Sequence, residues 1–191
     1  MFDSASVNAD WRDDPLGRFW PAWLRASTSA GQAALAALGV HPARRSWIGY
    51  DAGRVIVPCY AGDYWNRIEF TDDWPADDFE LTGIAEIAPD GATRVLWGAP
   101  GMAPWEPGGP GHWPEAEAGE AEEVVPIRRT LLEALRHPSA LAVLDWSGVG
   151  FRIPATARID GGDARFGREL AGRFRTIYGA ARPRILLPSA A

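Results

Sequence analysis

An α+β fold is predicted by three changes of pattern along the 191-residue chain. Apolar residues recur at helical spacing near the start, alternate at strand spacing from Trp47 to Trp97, and return after residue 122 as short helical and strand-like runs. The expected architecture is N-terminal helices, an antiparallel meander of about five strands, then a small α/β unit with a C-terminal amphipathic helix. The boundaries that follow are a helical start plus antiparallel sheet over 1–97, a Pro/Gly/Glu-rich loop or linker over 98–122 and a basic α/β lobe over 123–191. One compact domain is expected to hold all three, because domains typically run to roughly 100–200 residues.

The elements follow in order. Asp14-Pro15 is a cap and first-turn pair, and Leu16, Phe19, Trp20, Trp23 and Leu24 continue at helical spacing, with a kink expected at Pro21. Trp20, Trp23, Trp47, Trp97 and Trp146 fall on expected core faces. Ser29 and Gln32 form a capping-box pattern ahead of Leu35 and Leu38, and Gly39 stops a second helix over 30–38. Trp47–Tyr50, the turn Asp51-Ala52-Gly53 and Arg54–Tyr60 read as a hairpin, with Pro58 at an edge. Tyr64–Phe70 and Phe79–Ile87 alternate as half-buried strands, Glu80, Thr82 and Glu86 pointing outward, and Pro89-Asp90-Gly91 turns the chain into Thr93–Trp97.

Between 98 and 122 the density of Pro and Gly leaves neither period, so this stretch is expected to be a long loop or linker, either disordered or ordered by a partner. Beyond it, Ile127–Arg136 suits a helix, Leu141–Trp146 a buried strand and Val149–Ile153 another strand. Asp163 caps a helix with Phe166, Leu170, Phe174, Ile177 and Tyr178 on one face and Arg165, Arg168 and Arg175 opposite, ended by Gly179. Arg184–Leu187 closes the chain as a short strand.

Charge is distributed unevenly. Residues 1–61 carry six Arg and five acids, residues 62–125 two Arg and fifteen acids, and residues 126–191 eleven Arg and five acids. The acidic middle repels nucleic acid and anionic membrane, while the last third can attract either. All 19 basic residues are arginine. Without lysine there is no Schiff-base chemistry, no phosphate-loop lysine and no serine–lysine acylation pair. Cys59 is the only cysteine, which excludes an intrachain disulfide and suits a reducing compartment. Residues 1–10 lack the basic start and apolar run of an export signal, and no apolar stretch approaches the roughly 20 residues that span a bilayer, so a cytoplasmic location and no membrane contact are expected.

Arg158, Arg165, Arg168, Arg173, Arg175, Arg182 and Arg184 are the candidate anion or nucleic-acid site, each able to add one salt-sensitive phosphate contact. The alternatives are a solvated helix face, or docking on the chain's own acidic middle. Trp105 and Trp113, in the Pro/Gly loop, are the candidate partner-binding aromatics, since large exposed rings bury much area at little entropic cost. Asp72, Asp73, Asp77 and Asp78 around Trp74-Pro75 are weak candidates for a divalent cation, because aspartate in such a turn commonly caps the backbone. His41 and His137 each precede a proline at a helix end and suit capping, and His112 lies in the loop. No histidine pair has metal-binding spacing. Ser147 lacks the glycine of a nucleophile elbow, Asp145 standing there instead. Cys59 reads as a small core residue.

Gly49-Tyr50-Asp51-Ala52-Gly53-Arg54-Val55-Ile56-Val57-Pro58, then Phe79-Glu80-Leu81, Pro89-Asp90-Gly91, Arg129–Arg136 and Ala142–Trp146, resemble uncharacterised proteins of alphaproteobacterial prophages and mobile elements. The likeness covers most of the chain after residue 40 and carries no activity with it. The early part also resembles the segment ahead of the Toprim domain in phage-type primases. The glutamate strand and Asp-x-Asp pair of that domain are absent, so the resemblance implies a setting and not primase catalysis. Together these features lead to the expectation of a non-enzymatic binding or accessory protein of a phage or mobile element. It would need no cofactor and would hold nucleic acid or a protein partner. The alternatives are a small metal enzyme built on Asp72, Asp73, Asp77, Asp78 or Asp145, or a virion or assembly component.

Overall fold

A computed structural model of the chain describes residues 14–61, 80–98, 102–103, 124–144, 146, 158–179 and 184–187. These residues form four α-helices and two sheets, as the mixed α+β expectation requires.

Helix α1 (Pro15–Ala26) begins at Asp14, whose carboxylate accepts the Gly17 N–H at 2.8 Å, and it runs through Pro21 as one span. Helix α2 (Ser29–Ala37) is capped one residue earlier than expected. Thr28 is extended and its hydroxyl accepts the Gly31 N–H at 3.1 Å, whereas Gln32 donates to the Ala26 carbonyl at 2.8 Å and closes no box with Ser29. Gly31 lies so close to the Arg25 carbonyl and Ala26 that a side chain there has no room, which fixes the corner and places Ser29 inside the helix.

Strands β1 (Gly49–Asp51), β2 (Arg54–Ala61), β3 (Glu80–Ile87) and β4 (Thr93–Gly98) form an antiparallel sheet in that order. Ala52 and Gly53, at φ 47° and 84°, make the two-residue turn of the first hairpin. β2 pairs directly with β3, from Val55 opposite Ile87 to Ala61 opposite Glu80. The expected Tyr64–Phe70 strand lies outside the described residues. Among the described residues β1 pairs with Arg54–Ile56 and no strand continues beside Pro58 on that side, which accommodates its missing N–H.

The second sheet has the order β5-β7-β6-β8-β9, from β5 (Met102–Ala103), β6 (Val124–Arg128), β7 (Leu141–Val143), β8 (Arg158–Asp160) and β9 (Arg184–Leu186). β5 is antiparallel to β7, and the other four are mutually parallel. Three sequence expectations change here. Residues 98–122, expected to hold no regular element, supply β5. The helix expected from Ile127 starts at Leu131, because a run holding the β-branched Val124, Val125 and Ile127 enters the sheet and the capping box of Thr130 and Glu133 sets the start of α3 (Leu131–Leu135). The strand expected over Leu141–Trp146 ends at Val143.

Five layers result. On one face of the antiparallel sheet, Phe19 and Ala22 of α1 pack on Ile56, Ile84 and Leu96. Gly49 is required there, since a Cβ would lie 2.8 Å from that of Ala22. On the other face, Val55, Val57, Cys59, Ala85 and Ile87 meet Leu35 and Val40, α3 and Ala142 of β7. α4 (Ala164–Tyr178) covers the far side of the parallel sheet through Leu170 and Phe174 on Val125, Ile127 and Ile159. The acidic and basic portions thus share a continuous apolar cluster between the sheets.

Trp20 is 55% exposed, with Leu16 at 52% and Leu24 at 48%, contrary to its expected place in the core. The narrow stripe of Phe19, Ala22 and Ala26 fills the contact with the sheet, and the wider apolar arc of α1 turns outward. Trp23, Trp47, Trp97 and Trp146 are half-buried. No helix among the described residues is long and apolar enough to cross a membrane.

Candidate functional site

α4 carries most of the candidate arginines. Asp163 caps it, accepting the Phe166 N–H at 2.8 Å, and Gly179 at φ 63° ends it. Gly167, Leu170 and Phe174 face the sheet, and Arg165, Arg168 and Arg175 point outward as the helical spacing predicts. The seven arginines nevertheless do not form one stripe. Arg165 lies 3.4 Å from Glu169, which also takes Arg129 at 3.4 Å. Arg173 leaves for the opposite flank, its guanidinium 5.7 Å from the centre of the Trp146 ring. Arg158 is half-buried in β8, in register with Arg184 of β9. Arg182 lies outside the described residues.

Arg168 and Arg175 remain, seven residues and so about 10 Å apart along the helix axis, both exposed. Gly167 packs toward Ile185 and Leu187, which puts their flank of α4 on the β9 side of the sheet. Arg184 is exposed on that last strand. Among the described residues, none of these three forms an ion pair.

The crevice between the carboxyl ends of β6 and β8 has a different character. β6 leads into α3 on one face of the sheet and β8 leads into α4 on the other, so the two exits diverge, which is where open parallel sheets commonly take ligands. Here the chain's own side chains fill it. Arg128 Nη2 lies 3.1 Å from Asp160 Oδ2, and Nη1 donates to the carbonyls of Asp160 and Ile127, both at 3.1 Å. Gly162, at φ 78°, admits that guanidinium; a Cβ would sit 3.3 Å from Nη1. Arg129 reaches Glu169 and Asp163 and lies 4.9 Å over the Phe166 ring. The Gly162 N–H at this turn is taken as well, donating to Asp160 Oδ1 at 2.8 Å. An anion would have to displace two arginine–carboxylate contacts to enter.

A neighbouring cleft of about 340 Å³ lies between the β3–β4 turn and the carboxyl ends of β6 and β7. Gly91, Thr93, Val95, Thr130, Val143 and Leu144 are among its lining, and Arg129 is the titratable residue on its described rim. That chemistry binds weakly and selects little.

Comparison with known protein families, with curated proteins and with solved structures finds no match.

Asp72, Asp73, Asp77, Asp78, Trp105, Trp113, His112, Asp145 and Ser147 lie outside the described residues. His41 caps the short turn Pro42–Arg44, its Nδ1 accepting the Ala43 N–H at 3.3 Å, whereas His137, also expected to cap, lies in the turn after α3, where its Nδ1 accepts the Ser139 N–H at 3.2 Å. Burial, then the charges of Arg128 and Arg44, hold His137 below its ordinary value of 6.5 against the opposing pull of Asp160. Cys59 is buried in the core between the sheets. Among the described residues no three His, Cys, Asp or Glu side chains gather as metal ligands.

Two buried charges escaped the sequence reading. Glu86, expected to point outward, is 3% exposed because α1 covers its face; Arg54 and Arg94 meet it at 3.5 and 3.8 Å. Arg44 is 1% exposed and binds backbone carbonyls. Its immediate neighbours, the run Pro42-Ala43-Arg44-Arg45, give no signal of that burial.

Asp163 yields a prediction. Its carboxyl sits below the ordinary 3.8 chiefly because it accepts the Phe166 N–H, against some desolvation, with the Arg165 N–H and Arg129 adding to the effect. A carboxyl whose value is lower folded than unfolded contributes stability that is present above 3.8 and lost as the pH falls through the folded value. The melting temperature of Asp163→Ala is expected to lie below that of the wild type at neutral pH, and the gap to narrow as the pH falls below the ordinary 3.8. A gap constant through that fall, measured by circular dichroism, would exclude the ionised cap as its cause.

Proposed function

We propose that this chain is a non-enzymatic binding protein that holds a polyanion, nucleic acid fitting best, through Arg168, Arg175 and Arg184 along the β9 side of the parallel sheet. One observation carries the reading. Arg128, Arg129, Arg165 and Arg173 are engaged within the protein, whereas Arg168, Arg175 and Arg184 present their charge to solvent from one margin of the sheet. A flexible, regularly charged backbone can reach cations on both sides of a thin sheet edge. The resemblance to mobile-element proteins supplies a setting in which such an accessory would act.

Three phosphate contacts give a modest, strongly salt-dependent affinity, with a slope of log K against log salt of about −2 to −3. The net charge of −6 opposes long-range steering, so binding is confined to low ionic strength. Fluorescence anisotropy with labelled single- and double-stranded oligonucleotides between about 20 and about 200 mM salt measures this directly. The triple change Arg168→Glu, Arg175→Glu, Arg184→Glu is expected to abolish binding while leaving the melting temperature near that of the wild type. No binding at low salt, or equal binding by the triple variant, would refute the proposal.

A further inference from the structure

α1 carries a second apolar face that the cores formed by the described residues do not use. Leu16, Trp20 and Leu24 are spaced i, i+4 and i+8, each about half exposed, with the small exposed residues Gly17 and Pro21 beside them. The charged side chains of the helix, Arg18 and Arg25, lie on the other flank, Arg25 paired with Asp51 at 3.1 Å. The anchor is fixed in advance. Trp20 stacks on Trp23 with ring centres 4.7 Å apart and planes 23° from parallel, and Trp23 is itself held by donating Nε1–H to the Ser46 carbonyl at 2.8 Å. An immobilised aromatic loses little entropy on docking and has the character of an interface hot spot.

We infer that this face is the contact of a weak homodimer, in which the α1 helices of two copies cross antiparallel about a two-fold axis at Trp20. The exposed residues read the same in both directions, leucine, tryptophan, leucine, with four residues on each side of Trp20. Under such an axis Leu16 of one copy meets the leucine at 24 of the other, and the tryptophans meet each other, as an isologous interface demands. Gly17 and Pro21 let the backbones approach. The face has no charge, so self-pairing places no like charges in contact, and a partner with a charged groove would leave that charge unanswered.

Area sets the strength. Half of three large side chains amounts to on the order of 300 Å² per copy, well below the roughly 800 Å² per partner of a standard interface. The dimer is therefore concentration-dependent and never obligate. Each copy carries a net charge of −6, so added salt screens the repulsion and strengthens the pairing, opposite in sign to its effect on polyanion binding.

Sedimentation of the full chain from about 5 to about 500 μM, in low and high salt, tests this. The wild type is expected to move from one chain toward two as concentration and salt rise. Trp20→Glu and Leu24→Glu, both at exposed positions, are expected to remain single chains with unchanged far-ultraviolet circular dichroism. A wild type that stays monomeric at the highest concentration in high salt, or glutamate variants that associate as it does, would overturn the inference. So would co-sedimentation of the monomer with phosphatidylcholine vesicles that Trp20→Glu abolishes, since that would assign the face to lipid.

Discussion

Replacing Arg44 with leucine is expected to cost about 2–5 kcal/mol of folding stability, because two backbone carbonyls lose their donor. Arg44 is 1% exposed, and its guanidinium donates through Nε to the His137 carbonyl and through Nη2 to the Ala140 carbonyl, both at 3.2 Å. Those carbonyls belong to the connection between α3 and β7, a few residues whose backbone groups have no ladder to join. Leucine fills much of the volume but donates nothing, and each carbonyl left buried without a partner costs about 1–3 kcal/mol. Arg44→Lys is expected to recover only part of the loss, because an ammonium is a point donor and cannot span two carbonyls as the planar fork does. Urea denaturation gives the free energies. Removing Arg44 is also expected to raise the His137 value in an NMR titration, though not fully to 6.5, since burial is the largest cause of its depression and persists. A loss under about 1 kcal/mol for Arg44→Leu would mean that water or other donors reach those carbonyls.

Arg44 also marks where sequence reading stops. Features set by a few neighbouring residues were legible: the caps at Asp14 and Asp163, the turn at Ala52-Gly53 and the helix end at Gly179. These depend on backbone angles and hydrogen bonds within four residues, which residue types specify directly. Features set by distant partners were not. The helical spacing that Ile127 shares with the apolar residues of α3 predicts a helix across the Thr130 cap, and it is pairing with β7 and β8 that makes Val124–Arg128 a strand. Glu86 alternated as an outward residue should, yet the antiparallel sheet is covered on both faces, so the outward face is a second interior. Trp20 failed in the opposite direction, on a helix with more apolar surface than its contact with the sheet needs. The arginine stripe split for the same reason. Helical spacing fixes where a side chain starts, and the carboxylates and rings within reach decide where its charge goes.

Phe174 decides what holds α4 in place. Phe174→Ala is expected to cost about 3–5 kcal/mol, the range for emptying a fully buried phenylalanine site. The ring is 0% exposed, lies 5.8 Å from Trp146 edge to face and 5.8 Å from Tyr178, and packs in the cluster with Ile127, Ile159 and Leu170 that joins α4 to the parallel sheet. The ion pairs at the other end of the helix, from Arg129 to Asp163 and Glu169, involve side chains 41–61% exposed, and such pairs contribute about 0–1 kcal/mol. Packing rather than charge therefore fixes the helix. Phe174→Leu, which keeps most of the volume, is expected to lose far less than Phe174→Ala and to keep polyanion binding, while Phe174→Ala weakens binding because Arg168 and Arg175 move with the helix. Arg129→Ala is expected to lie within about 1 kcal/mol of the wild type at low salt and closer still at high salt. Should Arg129→Ala match Phe174→Ala in urea denaturation, the arginine–carboxylate network would be the true clasp of α4, and binding of a competing polyanion at Arg128 and Arg129 would loosen the helix instead of decorating it.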